Sequence, residues 1–283
     1  MAVVGASGFF GQTFDDQNWS SRTIANVPLF SVACADNIHG WASGAGGFVA
    51  HTADGGSTWL AQTSHLTSDL HAINFGWSST GVVAGDAGQL AVTPNGGQSW
   101  RAITPLTNVA LRGAAVAPYA SVMVVVGDGG TVLRSANAGG TWSLSKITGA
   151  GDLRGVTSDW YGDVIVAVDS NGAIWSSADR GITFAFEAKA PFALDNVSAN
   201  ESGANVLAVG KSGTALVRSS TGTWTTLATG TSADLHAALV SAADGHLYVA
   251  GDNGTLRTSA DMGATWITKP LGTTVPLYGL QDL

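Results

Sequence analysis

The sequence predicts an all-β ring of seven four-stranded blades, a β-propeller, and three observations carry that prediction. An aromatic residue after a polar turn recurs as Trp19, Trp59, Trp100, Trp142, Phe184, Trp224 and Trp266, at spacings of 40, 41, 42, 42, 40 and 42 residues. A leucine that opens a short apolar stretch keeps step with it: Leu29, Leu70, Leu111, Leu153, Leu194, Leu235 and Leu277. Composition agrees: of 283 residues 45% are hydrophobic and 38 are Gly, but only 11% are charged, with two Glu and four Lys, so the residues that build long surface helices are scarce. Four short strands in every 40 to 45 residues is the period of a propeller blade.

The elements follow in order inside one period. Leu70-His-Ala-Ile-Asn-Phe reads as a first strand, Gly81-Val-Val-Ala as a second, Gln89-Leu-Ala-Val-Thr as a third and Trp100-Arg-Ala-Ile as a fourth. Gly-rich turns such as Gly85-Asp-Ala-Gly88, Gly127-Asp-Gly-Gly130 and Gly251-Asp-Asn-Gly254 join strands two and three. Residues 1–25 supply strands two to four of a blade without a first, and 276–283 supply a first strand with nothing after it. The two fragments predict one blade closed by the C-terminal strand, which removes the free sheet edges of an open ring. The expectation is a single domain over 1–283.

Charge narrows the partners. A net charge of −8 and a pI near 5.0, with no basic stripe, argue against nucleic acid. Cys34 is the only cysteine, so no intramolecular disulfide forms and the compartment stays open. The N-terminus shows no basic segment followed by a long apolar core, and the longest apolar run, Val122 to Val126, is far below the ~18 residues of a membrane span. The expectation is no signal peptide and no membrane insertion, with an extracellular or virion-associated location compatible with both.

The turn before each periodic aromatic has its own signature. It reads Thr52-Ala-Asp54-Gly-Gly56-Ser-Thr58-Trp59, with Asn95 before Trp100, Asn137 before Trp142, Asp179 before Phe184 and Asp261 before Trp266 at the equivalent places. This resembles the Asp-box, or bacterial neuraminidase repeat. Combined with the Gly-Asp-x-Gly turn, it is similar to the propellers of the photosystem II stability and assembly factor family, over essentially the whole chain. The box is expected to be structural: its acid or amide accepts N–H groups of its own turn and its aromatic inserts between sheets. The copies before Trp19 and Trp224 depart, the first by one missing residue and the second by losing its acid.

Chemistry is harder to find. Sialidases carry Asp-boxes, but that resemblance implies six blades, three converging arginines and a Tyr–Glu pair. Here Glu187 and Glu201 are the only glutamates, and Arg112 and Arg154 the only arginines that the register puts near the axis. Asp-box xyloglucanases resemble two propellers facing each other, of which one chain supplies half a cleft. No Gly-x-Ser-x-Gly, His-Glu-x-x-His or Cys-x-x-Cys pattern occurs, and Gly210-Lys-Ser212 lacks the spacing of a phosphate loop. No cofactor, metal or catalytic residue is expected.

Candidate binding residues therefore sit where the repeats differ. The residue after each marker leucine is Phe30, His71, Arg112, Arg154, Asp195, His236 or Tyr278, and Asp69, Asp152 and Asp234 precede the leucine. These ten either solvate the channel through local ion pairs or form an axial funnel for a polar ligand. On the opposite face, Trp41, Trp77, Tyr119, Trp160 and Tyr161 are expected in turns between strands one and two, as edge caps or as platforms for a sugar or a protein. The reading is a non-enzymatic scaffold for protein–protein interaction, one option being a structural part of a phage virion. The alternative is a carbohydrate-recognition propeller, and the third is a glycoside hydrolase. Oligomeric state is not encoded in any of these features.

Overall fold

The computed structural model describes residues 1–76, 79–119 and 121–282. Among them lie 28 strands, β1 to β28, in seven four-stranded antiparallel sheets, with no helix beyond single 3-10 turns. Blade 1 pairs β28 (Leu277–Gln281), β1 (Ala2–Gly5), β2 (Phe9–Gln12) and β3 (Ser20–Thr23) in that order. The closure register is Ala2 with Gln281, Val3 with Leu280 and Val4 with Gly279. Each remaining blade is one continuous stretch of chain, and its first strand lies innermost. These inner strands are β4 (Leu29–Cys34), β8 (Ala72–Gly76), β12 (Leu111–Ala117), β16 (Leu153–Ser158), β20 (Leu194–Ala199) and β24 (Leu235–Val240).

Burial grades outward along each blade. In blade 4, β13 (Val122–Gly127) is buried at every residue, whereas β15 (Ser143–Lys146) at the rim is exposed throughout. That is why β13 reads as an uninterrupted Val/Met run: both of its faces meet a neighbouring sheet. Each such valine contributes about 1.5–3 kcal/mol by leaving water. The core is seven apolar layers, one between each pair of blades, and each layer receives one periodic aromatic. Trp59, for example, meets Phe10 of the preceding blade edge-on at 5.1 Å.

The box turns hold those aromatics in place. Asp54 Oδ1 accepts the Thr58 N–H at 2.8 Å and the Thr52 hydroxyl at 2.8 Å, and Oδ2 accepts the Thr58 hydroxyl at 2.6 Å. These donors hold the Asp54 carboxyl down at about 2, and Asp179 and Asp261 likewise. Gly56 has φ +82°, a conformation that side chains rarely adopt, and a Cβ there would lie 2.9 Å from the Phe10 ring of the preceding blade. In the shortened first copy, Asp15 keeps the acceptor role toward the N–H groups of Gln17 and Asn18.

A second stitching runs around the channel. An inner strand of a propeller has no strand partner toward the axis, and side chains of the neighbouring blade cover its N–H groups. Asn74 Oδ1 accepts Val116 N–H, Thr157 Oγ1 accepts Ala199 N–H, and Ser198 Oγ accepts Val240 N–H, each at 3.1 Å and each 42 residues onward. Between β12 and β16 glycines take over: a Cβ on Gly113 would sit 3.0 Å from Val156 N.

Candidate functional site

The inner strands surround an axial channel of about 810 Å³ with two unlike mouths. At the first mouth the marker leucines are fully buried, and in six blades a bulge follows them: the pairing slips between Leu29 and Ser31, Leu111 and Gly113, Leu153 and Gly155, Leu194 and Asn196, Leu235 and Ala237, and around Tyr278. A bulged residue leaves the ladder and is re-aimed. This is the local reason that Phe30, Arg112, Arg154, Asp195, His236 and Tyr278 line the channel; His71, just ahead of β8, joins them.

Their arrangement is not a uniform ring. Phe30 touches His71 at 5.2 Å and Tyr278 at 6.0 Å, and Tyr278 touches His236 at 5.5 Å between ring centroids, giving a continuous aromatic arc. Arg112 forks onto Asp128 at 2.5 and 2.9 Å, His71 Nε2 meets Asp86 at 2.9 Å, and His236 Nε2 meets Asp252 at 2.9 Å. In each case the partner is the second residue of that blade's own hairpin turn, a role that Asp86, Asp128 and Asp252 play without having been singled out in the sequence. Lys211, also unanticipated, bridges Asp195 at 3.4 Å and Asp234 at 3.0 Å.

His236 also faces Asp195 through Nδ1 at 3.3 Å. Burial lowers its pKa, but the two carboxylates outweigh it, so the net shift is upward and favours the imidazolium. For Asp195 burial pushes upward and is overcome by His236 and Lys211, so its carboxyl lies below the usual range. Arg154 differs from every other cation at this mouth. Its nearest carboxylate oxygen, on Asp152, is 3.9 Å from Nη2, and its buried Nε has no hydrogen-bond partner.

The three aspartates ahead of the leucines do not face the channel. Asp69 accepts Gly46 N–H at 2.9 Å, Asp152 accepts Gly129 N–H at 3.0 Å, and Asp234 accepts Ser212 N–H at 2.8 Å, each capping the turn of the preceding blade. They are braces, because an exposed turn amide is the nearest donor to a carboxylate at that position. Blade 5 adds a brace that the sequence reading missed. Asp169 is fully buried and accepts Gly151, Asn171 and Ala173 N–H groups and the Trp175 indole N–H at 2.8–3.0 Å.

At the second mouth the expectation of five turn aromatics needs one correction. Trp41 lies inside β5 (Gly40–Gly44), a second strand buried on both faces, and is 1% exposed; it stacks on Phe75 at 3.7 Å and donates to Gly96 O at 3.0 Å. It is a core residue. Trp77 lies outside the described residues. Tyr119, Trp160 and Tyr161 come together: Tyr119 stacks on Tyr161 at 5.3 Å and meets Trp160 edge-on at 5.8 Å. Among the described residues, no group of three or more His, Cys, Asp or Glu side chains forms a metal site. Cys34, at the end of β4, has its thiol pushed up to about 12 by burial.

The model of one family, the Photosynthesis system II assembly factor YCF48, matches residues 12–280. No curated protein matches the chain. Solved structures share the fold, two of them from the same family by name. YCF48 bound to D1 peptide is 19% identical with a TM-score of 0.68, over 94% of this chain and 88% of that one. YCF48 from Cyanidioschyzon merolae is 16% identical with a TM-score of 0.66, over 95% and 90%.

Proposed function

This chain belongs to the Photosynthesis system II assembly factor YCF48 family, and on that premise we propose that it is a non-enzymatic assembly scaffold whose first channel mouth takes an extended protein segment by an anionic group. The carrying observation is Arg154. Its guanidinium is about a third exposed and, among the described residues, has only the 3.9 Å approach of Asp152, so a carboxylate entering the mouth would meet a cation not already held by a close partner. The arc of Phe30 and Tyr278 across the channel offers apolar surface for the adjoining side chain.

Other features support the same reading. A related propeller is solved with a D1 peptide bound, so a segment of another protein is a suitable class of ligand. The glutamates available for glycosidase chemistry are far from this mouth: Glu187 pairs with Arg218 at 2.9 Å, and Glu201 is exposed at the second mouth. The carbohydrate alternative loses the Trp41 ring to the core. Whether the assembly served is a virion, one option raised by the sequence, follows from the identity of the bound segment.

The test is selection from a peptide library displayed with free C-termini, read by fluorescence anisotropy. The expected binders carry a free carboxylate, lose affinity about tenfold or more on amidation, and lose as much with Arg154→Ala. Binders indifferent to amidation and to both Arg112→Ala and Arg154→Ala would sink the proposal.

A further inference from the structure

We infer that the second mouth is a separate docking surface for a basic protein segment, one Arg or Lys of which stacks on Tyr119 and Tyr161 while pairing with Glu201. The surface is distinct from the Arg154 mouth and stands whether or not that mouth binds a carboxylate.

Two tyrosines at the tip of a turn would normally be mobile and half-covered. Here Tyr119 and Tyr161 are 53% and 57% exposed, yet their rings lie within 24° of parallel. The backbone explains the order. Tyr119 N–H donates to Trp160 O and Trp160 N–H donates to Glu201 O, both at 3.0 Å, so the turns of three successive blades are laced into one rigid ledge. Large rings fixed before binding lose little entropy on contact, the property that makes aromatic anchors effective.

Charge selects the occupant. Glu201 is exposed, and its carboxylate makes no ion pair or hydrogen bond among the described residues. Around the same mouth lie Asp36, Asp244 and Asp282. Asp36 and Asp244 form ion pairs with His39 and His246 and also accept from Ile38 N–H and the Tyr248 hydroxyl, Asp282 accepts Ala242 N–H, and the Met1 ammonium offsets part of the charge of Asp282 and Asp244. The Arg and Lys side chains that line the channel, Arg112, Arg154 and Lys211, all sit at the other mouth. Arg180, close to the ledge in sequence register, is taken by Asp163 at 3.1 Å. An aromatic ledge inside a negative field attracts a cation with an apolar stem, and a planar guanidinium uses the stack and the carboxylate together. A neutral sugar would use the rings and leave the field unused.

The experiment is anisotropy titration of the full chain with a labelled hexa-arginine peptide, with hexa-serine as the uncharged control. Wild type should bind hexa-arginine and not hexa-serine. Tyr119→Ala with Tyr161→Ala, which leaves net charge unchanged, should weaken binding about tenfold, and Glu201→Gln about threefold. Tyr161→Phe should retain binding. Should the double alanine variant fail to fold, Tyr161→Leu, one exposed side chain, carries the same comparison. Affinity that ignores the tyrosines would reduce the interaction to general attraction by an acidic protein and overturn the inference. Displacement of the peptide by a neutral oligosaccharide such as maltoheptaose would overturn it in favour of a glycan.

Discussion

The two mouths of the channel are made from the same seven inner strands, yet they handle polar groups in opposite ways. At the first, nearly every charge already has work inside the fold: Asp69, Asp152 and Asp234 cap turns, Asp128 holds Arg112, and Asp195 and Asp252 flank His236. Arg154 Nε is the exception. At the second, the backbone does the bracing and the side chains of Tyr119, Tyr161 and Glu201 are left facing solvent. Where a repeat spends side chains on its own closure, few polar groups are left without a partner, and Arg154 Nε is one. Where backbone closes the structure, side chains such as Tyr161 and Glu201 stay exposed.

The sharpest way to break this contrast is to remove a brace from the first mouth. Asp169→Ala deletes the acceptor of three backbone N–H groups and one indole N–H, all in or near buried positions. Unpaired buried donors make this change costly, about 3 kcal/mol or more, visible as a lower midpoint in urea denaturation. Asp234→Ala removes a more exposed cap on Ser212 and one partner of Lys211, and should cost about 1 kcal/mol. At the second mouth Glu201→Gln should change the midpoint by less than about 0.5 kcal/mol. Equal costs for the aspartate and glutamate variants would erase the distinction between a braced mouth and an open one.

This division also marks what could be read in the sequence. The 40–42-residue registers of aromatic and leucine gave blade number, strand order and ring closure, because each repeat must fill the same inter-blade layer. The same register placed Phe30, His71, Arg112, Arg154, Asp195, His236 and Tyr278 together at one mouth. It could not show that a bulge aims them there, since a bulge is a slip in pairing between two strands and leaves no fixed residue behind. It took Asp69, Asp152 and Asp234 for channel residues because a carboxylate beside an axial position looks alike whether it faces solvent or a turn amide. Trp41 was misplaced by one strand boundary: Gly40 opens β5, so the ring points into a layer and not out of a turn. The pairing of Tyr119 with Tyr161 joins turns of neighbouring blades 42 residues apart, a contact that no local pattern announces.

The smallest effect, and the one that tests the electrostatics of the contrast most directly, is a pair of pH dependences. His236 has a folded-state pKa raised by Asp195 and Asp252 against the downward push of burial. Its contribution to stability is therefore complete below the unfolded value near 6.5 and is lost as pH rises through the higher folded value. The stability gap between wild type and His236→Gln should be wider at pH 5.5 than at pH 8.5, measured by urea midpoints at fixed salt. Asp282, at the second mouth, is raised by burial, with the Ala242 N–H opposing. Its charge is thus disfavoured by folding, and stability falls as pH rises from its unfolded value near 3.9 through the raised one. Asp282→Asn keeps an acceptor for Ala242 N–H and should be relatively more stable than wild type at pH 7 than at pH 3.5. A gap for His236→Gln that is the same at both pH values would mean that the flanking carboxylates do not hold the imidazolium, and the first mouth would then lose its claim to be braced by charge.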